Sequence, residues 1–148
     1  MRTFCWCSVR IFRPGSSNSI QGPIKLKLRG VLATVNGIAI SPDIDLDVEI
    51  ECAFGADLMS DVLRLGHEEM LLITGLTNPQ VVRTAEMLGI QALLFVRAKL
   101  PSPDTMALAM ELGIFLLATR YTMYEACGRL YGAGLAGLGS CGEFTQAP

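Results

Sequence analysis

The residues best suited to chemistry fall in a few short stretches: Gly55 with Asp57, Thr74 to Asn78, Arg97 with Lys99, and Thr119 to Thr122. Arg97, Lys99 and Arg120 bring positive charge, and the threonines bring hydroxyls. Asn78 and Thr122 each stand before a helical pattern, so free backbone N–H groups should follow them. Cations beside helix amino ends suit a phosphate or a carboxylate. In an open parallel α/β sheet, ligands collect outside the carboxyl ends of the strands. The candidate ligand-binding residues are therefore Asp57, Thr74, Gly75, Thr77, Asn78, Arg97, Lys99, Thr119, Arg120 and Thr122. Helix capping accounts for Asp57, Asn78 and Thr122 without any ligand, and three basic residues on one rim also suit a solvated face.

Other constellations are weaker. Gly75-Leu76-Thr77-Asn78 is not a phosphate-binding loop, since G-x-x-x-x-G-K-[ST] is absent. No G-x-S-x-G elbow occurs either. Ser60 and Asp61 with His67 suggest a triad fragment, but Gly66 ends the helix between them. Asp57, Asp61, Glu68 and Glu69 lack an organised metal-ligand pattern and read as a solvated acidic face. Tyr121, Tyr124 and Tyr131 fall on one helix face, where core or interface packing is expected. No catalytic residue, metal or cofactor is assigned.

Elements must position the rim, and Leu71 to Arg97 supplies the clearest set. Leu71 to Thr74 is apolar without alternation, as in a strand buried on both faces. Asn78 is a good N-cap, with Pro79 at the first helical position. Val81, Val82, Ala85 and Leu88 recur at helical spacing, and Gly89 ends the helix. Ala92 to Val96 is a second buried strand. This order and length is a parallel βαβ crossover.

The unit recurs on both sides. Asp47 to Phe54 reads as a strand with Val48, Ile50 and Cys52 on one face. Asp57 is the expected N-cap of a helix with Leu58, Val62 and Leu65 as its stripe. Ser102-Pro103 starts a helix to Leu112 presenting Met106, Leu108 and Ala109, and Gly113 ends it. Ile114 to Ala118 is the next strand. Thr122 to Glu125 is a capping box opening a helix to about Leu135. Upstream, Ile24 to Leu28 alternates like an edge strand, and Asn36-Gly37 within Val31 to Ile40 predicts a hairpin turn. The expected fold class is α/β: a largely parallel sheet with flanking helices, built from βα units.

Residues 1–23 are expected to be a disordered leader, 24–135 a single α/β domain, and 136–148 a flexible Gly-rich tail, with fraying from Gly132. The first twelve residues are too broken to read as a secretory signal. Cys5, Cys7, Cys52, Cys127 and Cys141 form no disulfide framework, and Cys52 and Cys127 read as buried small apolar residues. A reducing cytoplasm is the expected home. The formal net charge of −2 argues against a nucleic-acid partner, and no apolar run is long enough for a membrane span. Hydrophobic residues make up 51% and charged ones 18%, more apolar surface than one core hides. A homodimer is expected, meeting through the helix after Thr122.

Gly55 to Leu63, Ile73 to Gln80 and Tyr121 to Gly128 together resemble a stand-alone DRTGG domain, over about residues 46 to 135. That domain is similar to the N-terminal, non-kinase half of bacterial HPr kinase/phosphorylase. It also occurs beside CBS domains in some pyrophosphatases. The name-giving motif falls on Asp47 to Ala53, where only the Asp is kept. The resemblance implies an HPr kinase N-terminal-domain-like fold in a regulatory or assembly module, often dimeric and without catalysis of its own. The expected partners are a second copy, a small anionic metabolite or nucleotide, and a regulatory protein. The alternative is a small phosphotransferase or hydrolase using Asp57 or Asp61 as base.

Overall fold

Apolar runs without alternation become interior strands, because a strand covered on both faces has no polar side to show. The computed structural model describes residues 24–138. In chain order its elements are β1 (Leu26–Lys27), α1 (Leu28–Thr34), β2 (Ile38–Ala39), β3 (Glu49–Ile50), β4 (Cys52–Gly55), α2 (Met59–Leu65), β5 (Met70–Thr74), α3 (Pro79–Leu88), β6 (Ala92–Phe95), α4 (Pro103–Glu111), β7 (Phe115–Ala118), α5 (Met123–Gly132) and β8 (Ala136–Gly137). The strands β4 to β7 lie side by side and parallel. Short β8 adds parallel to β4 at one edge, and β2 adds antiparallel to β7 at the other. The result is a six-stranded, mostly parallel sheet of order β2-β7-β6-β5-β4-β8. A separate antiparallel pair joins β1 and β3.

Strand residues alternate between two cores, as a period of two requires. Met70, Leu72, Leu93, Phe95 and Leu116 pack with Val62 of α2, Val81, Val82 and Ala85 of α3, and Ala109 of α4. Leu71, Ile73, Ala92, Leu94 and Leu117 pack with Leu28 and Val31 of α1 and with Ala126 and Leu130 of α5. Successive crossovers of one hand place α2, α3 and α4 on the same face. The caps form locally: Asn78, Ser102 and Thr122 accept from the N–H groups of Val81, Thr105 and Glu125. Gly89 and Gly113 leave their helices at φ 70° and 68°. The expected α/β class and parallel βα core are what the chain adopts.

Several expectations are corrected. Ile24 to Leu28 is not one strand, since Leu28 already begins α1 and is fully buried against the sheet. Asn36-Gly37 closes no hairpin. Asn36, at φ 47°, turns the chain out of α1 and into β2. Gly37 is required there because the Ala118 carbonyl would lie 2.8 Å from an added Cβ. The stretch Asp47 to Phe54 splits at Glu51, with β3 and β4 in different sheets. Ile50 and Cys52 consequently enter opposite cores. Asp57 does not cap α2: Leu58 stands at the N-cap, and no side chain caps the helix. Glu125 completes no reciprocal capping box, because its carboxylate accepts from Arg129 at 2.6 Å.

The helix after Thr122 ends at Gly132, and the chain then returns as β8, so Ala136 and Gly137 belong to the sheet and not to a flexible tail. The leader at 1–23 and the tail beyond 138 lie outside the described residues. Among the described residues, no helix is long and apolar enough to cross a membrane.

Candidate functional site

The carboxyl ends of β4, β5 and β6 bring part of the sequence-derived set together. Asp57, just past β4, reaches across to the loop after β5. Its Oδ1 accepts from the Thr74 hydroxyl at 3.0 Å and from the Gly75 N–H at 2.7 Å. The Thr74 hydroxyl in turn accepts from the Leu76 N–H at 3.2 Å. Lys99 Nζ donates to the Gly75 carbonyl at 3.1 Å. The Arg97 guanidinium fills the space where a side chain on Gly75 would begin. Gly75 is therefore held from three sides, by a carboxylate, an ammonium and a guanidinium.

The loop after β6 aims these cations. Arg97 and Ala98 are consecutive left-handed residues, at φ 61° and 54°. Such a conformation costs an L-residue roughly 1 kcal/mol or more and persists only where surroundings impose it. Here the Arg97 N–H donates to the Tyr121 carbonyl at 2.8 Å, and the Ala98 N–H to the Thr119 carbonyl at 2.9 Å. Neither residue type signals such a turn.

The other candidates serve the scaffold or stand apart. Thr119 is buried, donating to the Val35 carbonyl at 2.7 Å and accepting from the Tyr121 N–H at 3.2 Å. Asn78 and Thr122 are spent as caps. Thr77 makes no side-chain hydrogen bond, and Arg120 is exposed without an ion pair, among the described residues. Asp61 lies in the first turn of α2. Glu69 is paired with Lys25 at 3.1 Å, which holds its carboxyl below the ordinary range. No three His, Cys, Asp or Glu side chains gather to hold a metal among the described residues. The tyrosines do not pack together. Tyr121 lies under the Arg129 guanidinium at 4.4 Å, while Tyr124 and Tyr131 are 90% and 73% exposed.

One feature escaped the sequence. A cavity of about 930 Å³ opens at the β4–β8 edge beside α5, and none of the ten candidate ligand-binding residues lines it. Cys52 and His67 do line it, with Sγ and Nε2 3.1 Å apart. The partner of His67 is thus a cysteine fifteen residues back, not Ser60. Cys52 is buried as expected, while Cys127 is only half-buried.

No family model matches the sequence, and no curated protein does. Among solved structures, the chain is similar to the CBS and DRTGG domains of the regulatory region of Clostridium perfringens pyrophosphatase, complexed with its activator diadenosine tetraphosphate. The TM-score is 0.59 at 18% identity, covering 74% of this chain and 47% of that one. The chain therefore spans less than half the length of that structure. At this identity the likeness concerns the fold, and it supports a DRTGG-like α/β fold.

Proposed function

We propose that this chain is a regulatory module without catalysis of its own, which takes a small phosphate- or nucleotide-like anion on the rim at Gly75. The observation that carries this reading is the convergence of Arg97 and Lys99 on one backbone position at the strand carboxyl ends. Arg97 has no ion-pair partner among the described residues, so its charge is available to a ligand. The activator held by the pyrophosphatase region is itself a polyphosphate, which supports an anionic ligand for a related fold. The resemblance to the N-terminal half of HPr kinase/phosphorylase supports the regulatory role. Asp57, one of the two bases open to an enzymatic reading, is engaged in bracing the loop.

A thermal-shift panel of nucleotides and phosphorylated metabolites tests the ligand. Native-state binding raises stability by RT ln(1 + [L]/Kd), so ligand at about 100 Kd adds roughly 2.7 kcal/mol. A flat response across the panel overturns the anion site. Gly75→Ala sharpens the test. Gly75 has no left-handed φ, and the atoms nearest its new methyl all belong to the Arg97 guanidinium, the far end of a flexible side chain. The variant should fold with nearly parental stability and bind the anion about tenfold more weakly, a loss of roughly 1.4 kcal/mol. Unchanged affinity would remove Arg97 from the site.

The same module is proposed to pair with a second copy through α5. Tyr124 and Tyr131 stand exposed on that helix, flanking Gly128, which carries no side chain. Aromatic residues so placed are enriched where proteins meet. Light scattering at micromolar concentration should give twice the 16.0 kDa chain mass. Tyr124→Glu should return it toward the monomer by placing a charge in the contact. A single-chain mass that does not change on concentrating rejects the pairing.

A further inference from the structure

We propose that Cys52 and His67 form a reactive thiol pair, at which a small apolar disulfide modifies the chain covalently. The site is separate from the anion rim and does not depend on it. Its geometry is a base in contact with a thiol: Sγ lies 3.1 Å from Nε2. Its access is the cavity of about 930 Å³, which Cys52 lines together with Leu65, Phe54 and Leu138. A volume of that order accommodates a small organic molecule, and these walls favour an apolar one.

The surroundings make the base necessary. Burial pushes the Cys52 thiol up, and the carboxylates of Glu51 and Glu69 push it the same way. Both carboxylates are tied to Lys25, at 3.4 and 3.1 Å. A thiol so placed holds little free thiolate at neutral pH, so attack requires a proton acceptor already in contact. His67 meets that need in the tautomer with its proton on Nδ1. The Glu69 carboxyl is itself held low, mainly by Lys25 and also by His67.

The step is a thiol–disulfide exchange. The thiol proton passes to Nε2 as Sγ bonds to one sulfur of the disulfide. The S–S bond breaks, and the leaving thiolate takes the proton back from His67. Cys52 is oxidised to a mixed disulfide, and the reagent is reduced by the same electron pair to one thiol. The group added to Sγ then occupies the cavity.

Cys127 provides the internal control. It lines the same cavity, and burial pushes its thiol up as well. Among the described residues no imidazole touches it. The full chain, diluted to its single-chain state because Tyr124 and Tyr131 of the proposed α5 contact also line this cavity, would be treated with dithiodipyridine, an uncharged aromatic disulfide, and each cysteine's adduct followed by peptide mass spectrometry. The Cys52 adduct should form about tenfold or more faster than that of Cys127, since a positioned base contributes at least this much. His67→Asn should abolish that advantage while leaving the Cys127 rate and the melting temperature unchanged. Equal rates at the two cysteines in the parent protein, or an unaltered Cys52 rate in His67→Asn, would overturn the proposal. If His67→Asn unfolds, both thiols accelerate together, and the ratio in the parent protein still decides. Anion binding to the rim is read in a separate assay, so the two sites fail independently.

Discussion

Phe95→Ala is expected to lower folding stability by about 4 kcal/mol, within the range for emptying a buried aromatic site. Phe95 is fully buried near the carboxyl end of β6, between Thr74 of β5 and Ala118 of β7. Its ring enters the core beneath α2, α3 and α4. Both neighbouring strands are hydrogen-bonded to it, so the backbone has little freedom to close the space. A domain of this size has roughly 5 to 15 kcal/mol in total. The melting temperature should therefore fall by roughly 10 °C or more. Calorimetry on the two proteins checks this, and a loss under about 1 kcal/mol would mean that the ring is not packed as described. The rim loops leave from the ends of these same strands, so the variant should also bind any rim ligand less well.

The parallel core was legible because its signals are local. Asn78-Pro79, Ser102-Pro103 and Thr122 make their capping contacts within three residues, and each capped the helix expected of it. The buried runs at β5, β6 and β7 need no partner to be recognised, since their lack of polar alternation already implies two covered faces.

The amino-terminal part was not legible, because distant contacts decide it. Ile24 to Leu28 alternates as a strand would, yet Leu28 begins a helix once α1 has a sheet face to cover. Asn36-Gly37 has the same turn chemistry whether it closes a hairpin or ends a helix. The break at Glu51 depends on β3 finding β1 while β4 finds β5. The rim was half legible for the same reason. Residue type and strand position singled out Arg97, Lys99 and Gly75. Nothing local shows that Thr119 turns inward to Val35, 84 residues away. Nor does spacing reveal the Cys52–His67 contact, between side chains fifteen residues apart.

Asp57 joins these two lessons, and its replacement should be the second most costly change. A residue in its position reads as an N-cap, but its carboxylate bridges to a loop eighteen residues on. Asp57→Ala removes a charged acceptor from the Gly75 N–H and from the hydroxyl of fully buried Thr74. Hydrogen bonds to charged groups are worth about 1.5 to 3 kcal/mol each, and partial exposure of Asp57 gives water some access to the freed donors. The expected loss is therefore about 2 kcal/mol by denaturant titration. Asp57→Asn keeps a carbonyl oxygen for both donors and should lose about half as much. The two variants separate bracing from charge. On the rim, Asp57 is the negative group nearest Gly75, and a bound anion would feel it. Removing the charge while keeping the brace should leave anion affinity equal or tighter in Asp57→Asn, whereas Asp57→Ala should weaken it as the loop loosens. Were both variants to weaken binding alike, the carboxylate would be a ligand contact in its own right. Were Asp57→Ala to melt within a degree or two of the parent, the loop would owe its shape to Lys99 and Arg97 alone.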